Sequence, residues 1–160
     1  MELNKFLAEW HNDNPRILVH TSGSTGKPKP LMVEKRRMLN SARITCDFLG
    51  LKPGDTALLC MPLDYIAGKM MVVRSLQRDL RLTSVRPSSH PLADDALPSF
   101  TFAAMVPMQV YNTLKVPCER ERLMHIRHLI IGGGAISDEL AQMIKPLPNA
   151  VWLSLIHISE

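Results

Sequence analysis

Residues 15–30 read PRILVHTSGSTGKPKP, so a short apolar run leads directly into a loop rich in glycine, hydroxyl groups and lysine. The run Ile17-Leu18-Val19 predicts a buried strand, and the glycines, prolines and hydroxyl residues after it predict a loop. Hydroxyls, bare backbone amides and ammonium groups are donors that hold phosphate oxygens. The stretch therefore predicts a phosphate-binding loop at 21–29.

Two other interpretations of this loop are weaker. A flexible linker has a similar serine and glycine content, but it needs neither a buried strand before it nor two lysines and a helix after it. The P-loop of kinases and GTPases needs four residues between its glycines and then Lys-Ser/Thr. Here Ser24 and Thr25 alone separate the glycines, and Pro28 follows Lys27.

The rest of the chain alternates between continuous apolar runs and segments of helical period. Further strands are predicted at 56–63, 81–85, 100–106, 128–131 and 150–153. Helices are predicted at 34–49, from 66 to 77, from 107, at 119–125 and at 138–144. Continuous apolar strands indicate a sheet that is covered on both faces. We therefore expect an α/β fold with a mostly parallel sheet flanked by helices, in one domain or in a piece of a larger one.

Several residues are assigned to particular positions in these elements. The inner face of the first predicted helix is Met38, Ala42, Cys46 and Leu49, and that of the second is Met70, Val73 and Leu76. Gly50 is expected to end the first of these helices in a left-handed conformation. Ser137 is expected to cap the helix at 138–144, and 88–99 is predicted to be a surface connection.

Composition excludes several classes of protein. The chain has 160 residues, of which 46% are apolar and 21% are charged, as in an ordinary globular domain. The net charge of +4 suits an anionic small ligand as well as it suits nucleic acid. The aromatic content of 5% leaves few stacking platforms for single-stranded nucleic acid, and no nucleic-acid partner is expected. The three cysteines lack metal-ligand spacing, so we expect reduced thiols and no metal site. No signal peptide or membrane span is predicted, and we expect a cytoplasmic protein.

Residues 21–29 resemble the phosphate-loop signature of the adenylate-forming enzymes, a family of acyl-CoA synthetases, luciferases and peptide-synthetase adenylation domains. Four later stretches resemble motifs of that family in the same order. They are LKPGD at 51–55, MPL at 61–63 with Gly68, Val106-Pro107, and LIIGGGAISDEL at 129–140. The resemblance implies that 1–152 is part of the large AMP-binding N-terminal domain of such an enzyme.

The resemblance also implies an activity. Family members use ATP and Mg²⁺ to convert a carboxylic acid to an acyl-adenylate, and coenzyme A then displaces AMP to give a thioester. Within the family, residues 28–35 and 64–71 are similar to the subgroup of o-succinylbenzoate–CoA ligases of menaquinone synthesis. Another acyl- or aryl-CoA ligase, or a nucleotide-binding remnant without chemistry, remains an alternative. The oligomeric state is left open.

Roles for individual residues follow from the resemblance alone. The implied nucleotide-binding residues are Thr21, Ser22, Gly23, Ser24, Thr25, Gly26 and Lys27 at the phosphates and Gly133, Gly134 and Ala135 at the adenine. The implied residues at the acyl substrate are Tyr65, Gly68, Lys69 and Arg74. For Lys69 and Arg74 the alternative is a solvated charge on an amphipathic helix. For the glycines it is a mobile turn or a dinucleotide loop, although Ser137 stands where the dinucleotide fingerprint requires glycine.

The last residues depart from the family pattern. Residues 153–160 read LSLIHISE and resemble translated adaptor sequence, so a non-native tail is predicted there. The magnesium-binding glutamate, the ribose-binding aspartate and the catalytic lysine of the C-terminal lid domain have no counterpart in the sequence. We therefore expect these residues alone to lack ligase activity.

Overall fold

The computed structural model describes residues 1–21 and 27–152, with the backbone alone for 150–152. The chain divides into two compact units, the first Met1–Gly54 with Pro62–Arg81 and the second Asp55–Met61 with Leu82–Glu160. The predicted tail at 153–160 and loop residues 22–26 lie outside the described residues. The helices are α1 (Leu3–His11), α2 (Lys35–Leu49), α3 (Ile66–Arg78), α4 (Pro107–Leu114), α5 (Pro117–His125) and α6 (Asp138–Ile144). The strands are β1 (Arg16–Thr21), β2 (Lys29–Glu34), β3 (Thr56–Leu59), β4 (Arg81–Ser84), β5 (Phe102–Met105), β6 (His128–Ile131) and β7 (Ala150–Trp152).

The first unit contains an antiparallel hairpin of β1 and β2. The pairing runs from Arg16 opposite Glu34 to Thr21 opposite Lys29. Burial alternates along β1, and Leu18 between the two buried residues is 46% exposed, so the prediction of a continuously buried strand is wrong. Successive side chains of a strand point to opposite faces of its sheet, and only the face of β1 that carries Ile17 and Val19 is buried.

Helix α2 confirms its predicted inner face, because its buried residues are Met38, Ala42, Cys46 and Leu49. Gly50 follows with φ +65°, as predicted for a left-handed helix end, and its N–H donates to the backbone carbonyl of Asp47. The Arg78 guanidinium of α3 donates to the carbonyl of Leu51 at 2.8 Å and to the Asp47 carboxylate. Helices α2 and α3 are therefore joined by polar contacts at one end as well as by packing.

In helix α3, one of the residues predicted to lie in the core is exposed. Met70 and Val73 are buried as expected, but Leu76 is 42% exposed. All six residues from 68 to 73 are buried, whereas in the remainder of the helix only Ser75 is. The helix is enclosed all round from Gly68 to Val73 and is more exposed towards its end, so a single-face pattern extended to Leu76 fails.

The second unit contains a five-stranded sheet in the order β4-β3-β5-β6-β7. The pairs β3–β5, β5–β6 and β6–β7 are parallel, with Met105 opposite Ile131 at the carboxyl ends of β5 and β6. Phe102, Leu129 and Ile131 are fully buried. The α/β class with a mostly parallel sheet flanked by helices is confirmed. The strand predicted at 56–63 ends earlier, at Leu59.

Ser137 caps α6 as predicted, since its hydroxyl accepts the N–H of Leu140 at 3.2 Å. The connection at 88–99 contains no helix or strand. It is nevertheless anchored, because Arg122 donates to the Leu92 carbonyl at 2.6 Å and His90 Nδ1 lies 2.9 Å from a carboxylate oxygen of Glu119. Leu92 is buried at 1% exposure, so part of this connection contributes to the core.

Candidate functional site

The predicted phosphate loop joins the two strands of the β1–β2 hairpin. The pair Thr21–Lys29 closes the hairpin, so the connection is residues 22–28 rather than the longer loop that the sequence suggested. Thr21 is half-buried, and Lys27 and Lys29 are exposed. Ser22, Gly23, Ser24, Thr25 and Gly26 lie outside the described residues. Two lysines at one end of a loop of hydroxyls and glycines can neutralise a polyanion such as a chain of phosphates.

Tyr65, predicted to contact the acyl group, lies beside the start of this loop. His20 and Tyr65 form an isolated parallel bridge, which brings the backbone of Tyr65 next to the residue before Thr21. Tyr65 is half-buried and directly precedes α3. The structure thus places one residue of the predicted acyl segment close to the predicted phosphate loop within the first unit.

Lys69 is inside the first unit and is not a solvated charge. Its side chain is 1% exposed, and its Nζ donates to the Leu63 carbonyl at 2.7 Å. The same Nζ lies 5.4 Å from the centre of the Phe6 ring, at a distance typical of a cation–π contact. Burial lowers the pKa of Lys69 below its ordinary value. Its role at a substrate carboxylate stays a prediction, and in this structure the ammonium contacts the protein itself.

Arg74 and Gly68 also lie on α3. Gly68 is buried, and Arg74 is half-buried with Nη1 3.7 Å from the Met71 sulfur. Burial lowers the pKa of Arg74, although a guanidinium keeps its proton at neutral pH. The charge of Arg74 is therefore partly withdrawn from solvent, and its predicted contact with the substrate remains untested.

In the second unit, the predicted adenine-side glycines follow β6 and cover the start of α4. The Gly132 N–H donates to the Met105 carbonyl at 3.2 Å, which holds this turn against the end of β5. A Cβ on Gly133 would lie 3.5 Å from Val106 Cγ1, and one on Gly134 would lie 3.6 Å from Pro107 Cδ. The carboxyl ends of neighbouring parallel strands are where open α/β sheets bind ligands. Bare backbone there allows a flat ring to approach closely.

The two glycines differ in the conformation they require, which predicts different costs of substitution. Gly133 has φ +82°, whereas the φ of Gly134 lies outside the left-handed region. Gly133→Ala is expected to lower the free energy of unfolding by about 1–2 kcal/mol, because an L-residue is strained at positive φ. Gly134→Ala should cost less than about 0.5 kcal/mol, since its methyl group meets Pro107 at an ordinary distance. Urea unfolding followed by circular dichroism measures both, and equal costs would contradict this account of Gly133.

Sequence reasoning missed Gln109, which is 6% exposed at the start of α4. Its Nε2 donates to the carbonyls of Cys60 at 3.0 Å and Ser88 at 2.9 Å, and its Oε1 accepts the Val106 N–H at 3.1 Å. A glutamine three residues after a helix N-cap is a capping-box position. That spacing would have indicated the contact with Val106, although not the other two.

Two further findings concern the described residues as a whole. Within 1–21 and 27–152, no three His, Cys, Asp or Glu side chains are grouped so that they could hold a metal ion. Over the same part of the chain, no helix combines the length and the apolar character that crossing a membrane requires.

Comparison with known proteins supplies the family. The model of the AMP-binding enzyme family matches residues 4–152. A 2-succinylbenzoate–CoA ligase of Haemophilus influenzae is 29% identical over 149 residues, which is 90% of this chain and 31% of that protein. The indigoidine synthase of Dickeya dadantii is 27% identical over 148 residues, which is 89% of this chain and 10% of that protein. The chain thus spans less than a third of the length of these curated relatives.

A solved structure agrees with the match. The acyl-CoA synthetase (AMP-forming)/AMP-acid ligase II-like protein from Dyadobacter fermentans superposes with a TM-score of 0.84 at 36% identity. The superposition covers 92% of this chain and 43% of that one. Together with the family match over residues 4–152, this confirms the resemblance to adenylate-forming enzymes: the chain belongs to the AMP-binding enzyme family.

Proposed function

We propose that this chain is the nucleotide-binding part of an AMP-forming acid–CoA ligase that acts in the cytoplasm. ATP would activate a carboxylic acid to an acyl-adenylate with release of pyrophosphate, and coenzyme A would then take the acyl group as a thioester. The observation that carries the proposal is the segment 21–29, which connects β1 and β2 inside the family match.

The proposed roles follow from charge and from access to the backbone. Lys27, with the hydroxyls and amides of residues 21–26, would hold the β- and γ-phosphates and offset the charge that develops on departing pyrophosphate. Gly133, Gly134 and Ala135 would lie against the adenine, where a larger side chain would collide with the ring. Mg²⁺ would accompany the phosphates of ATP, and no described residue is assigned to it.

The finer proposal is that the acid is o-succinylbenzoate, in menaquinone synthesis. The relative from Haemophilus influenzae supports it, as does the similarity of residues 64–71 to that subgroup. Tyr65, Gly68, Lys69 and Arg74 would form the acyl side. The similarity to an indigoidine synthase, which lies in the same range of identity, favours a different acid as the alternative. Pyrophosphate release across a panel of acids distinguishes the two.

Nucleotide binding can be tested on the chain itself. Lys27→Ala is expected to weaken Mg-ATP binding about tenfold, because a hydrogen bond from a charged group to phosphate contributes about 1.5–3 kcal/mol. Lys145→Ala is the matched control, since it removes the same charge from an exposed lysine just after α6. Isothermal calorimetry on folded protein measures both.

The control separates a local contact from a general effect of charge. Equal losses in the two variants would mean that only net charge matters, and the phosphate-loop assignment would be wrong. No heat with Mg-ATP from the folded unsubstituted chain would refute nucleotide binding by these residues. A nucleotide-binding remnant and an enzyme part behave alike in this measurement and are distinguished by whether the completed enzyme turns over an acid.

A further inference from the structure

Gln109 is the point at which three separate backbone segments of the second unit are tied together. Its amide group contacts Cys60 just after β3, Ser88 in the connection at 88–99, and Val106 at the start of α4. Cys60 and Ser88 lie 49 and 21 residues away from it in sequence. Because both the NH₂ group and the oxygen of a buried amide are used, the side chain is held in one orientation.

The segment that Gln109 fixes is Val106–Pro107, and the glycine turn, residues 132–134, lies against it. Val106, whose N–H is bound by Gln109, is also the residue that a Cβ on Gly133 would meet at 3.5 Å. A Cβ on Gly134 would likewise lie 3.6 Å from Pro107 Cδ. A change in the position of Val106–Pro107 therefore shifts the surface beneath Gly133 and Gly134.

We propose that Gln109 is a positioning residue for the adenine side of the nucleotide site. It sets the place of Val106–Pro107, and hence of the glycine turn, without contacting the nucleotide. The part of this inference that concerns affinity rests on the proposed function. The part that concerns the turn rests on the hydrogen bonds and distances of the second unit alone.

The three contacts depend on the amide group of Gln109. Methionine has a similar length and would fill the same volume, but it can neither donate to the carbonyls of Cys60 and Ser88 nor accept from Val106. The carbonyls of Cys60 and Ser88 and the Val106 N–H would then lose this partner. The contact with Cys60 is buried, so water cannot readily replace it, and its loss costs the most. Gln109→Met therefore removes the polar contacts of the side chain while largely preserving its packing.

The experiment compares two ligands on the chain with Gln109→Met and on a control with Gln142→Met, an exposed glutamine on α6. Mg-ATP probes phosphates and adenine together, and inorganic tripolyphosphate with magnesium probes the phosphates alone. Gln109→Met is expected to weaken the binding of Mg-ATP about tenfold and the binding of tripolyphosphate by less than about twofold. Lys27→Ala should weaken the binding of both ligands, and Gln142→Met should change the binding of neither.

A second measurement does not depend on nucleotide binding. Hydrogen exchange followed by mass spectrometry reports the amides of Val106 and Gly132, which both donate hydrogen bonds in this structure. In Gln109→Met, peptides that contain these amides should exchange about tenfold faster, while peptides from α5 remain as in the unsubstituted chain. Faster exchange throughout the second unit would show general destabilisation and overturn the positioning role.

The outcomes separate the two proposals. If Gln109→Met weakens the binding of Mg-ATP and of tripolyphosphate equally, or weakens the binding of neither, Gln109 does not position the adenine side. If the folded unsubstituted chain binds neither ligand, the proposed function fails, and the exchange rates of Val106 and Gly132 still decide whether Gln109 fixes the turn.

Discussion

Phe6→Ala is expected to lower the free energy of unfolding of the first unit by about 3–5 kcal/mol, the range for removing a fully buried phenylalanine. Phe6 is 0% exposed and is the buried residue of α1. Its ring lies 6.0 Å from that of Trp10 and faces the ammonium of Lys69. The substitution leaves a cavity between α1 and α3 and removes the ring beside a buried cation. Urea unfolding followed by circular dichroism measures the loss.

The same substitution should expose Lys69. With α1 loosened, the pKa of Lys69 should rise towards its ordinary value, and acetic anhydride should modify this lysine about tenfold faster, as measured by peptide mass spectrometry. Phe48→Ala is the matched control, because Phe48 is 77% exposed and its removal should cost less than about 0.5 kcal/mol. Similar effects of the two substitutions on stability and on Lys69 would show that α1 is not anchored through Phe6.

Lys27→Ala is expected to reduce turnover about 100- to 1000-fold in a chimera that supplies the rest of the enzyme. The chimera joins residues 1–152 to the part of the Haemophilus influenzae ligase that follows its match to this chain. Loss of a group that stabilises developing charge typically has an effect of this size on the chemical step. Pyrophosphate release with ATP, coenzyme A and o-succinylbenzoate measures it, and Lys145→Ala should leave the rate unchanged.

The chimera also tests the proposed substrate. Pyrophosphate release with a fatty or aryl acid but none with o-succinylbenzoate would overturn the proposal that o-succinylbenzoate is the substrate. It would still support an acid–CoA ligase. Activity that is unaffected by Lys27→Ala would contradict the role of the loop. A folded chimera that binds Mg-ATP and turns over no acid would favour a nucleotide-binding remnant.

The features that could be predicted from sequence are those that nearby residues determine. The inner face of α2 follows from spacing within one helix, and the left-handed Gly50 and the cap by Ser137 follow from local backbone chemistry. The resemblance of residues 21–29 to the phosphate-loop signature of the family could be recognised for the same reason. Its residue types and their order are contained in a single stretch of chain.

The features that were missed depend on partners far away in the chain. Strand β2 contains Pro30, which indicates a loop, but a proline is tolerated in an edge strand such as this one. The burial of Lys69 depends on Leu63 and on Phe6 of α1, and no periodic pattern shows that a lysine has such partners. The contacts of Gln109 with Cys60 and Ser88 are distant in the same way.

The division of the chain constrains how it can be dissected. The first unit is interrupted by 55–61, which belongs to the second, and 62–81 returns to the first. Cleavage after Gly54 deprives the first unit of α3, and cleavage after Arg81 deprives the second unit of β3. Because no single cut yields both units whole, one proteolytic cleavage cannot separate them as two independent fragments, and isolating either unit requires its two segments to be joined directly in their present order.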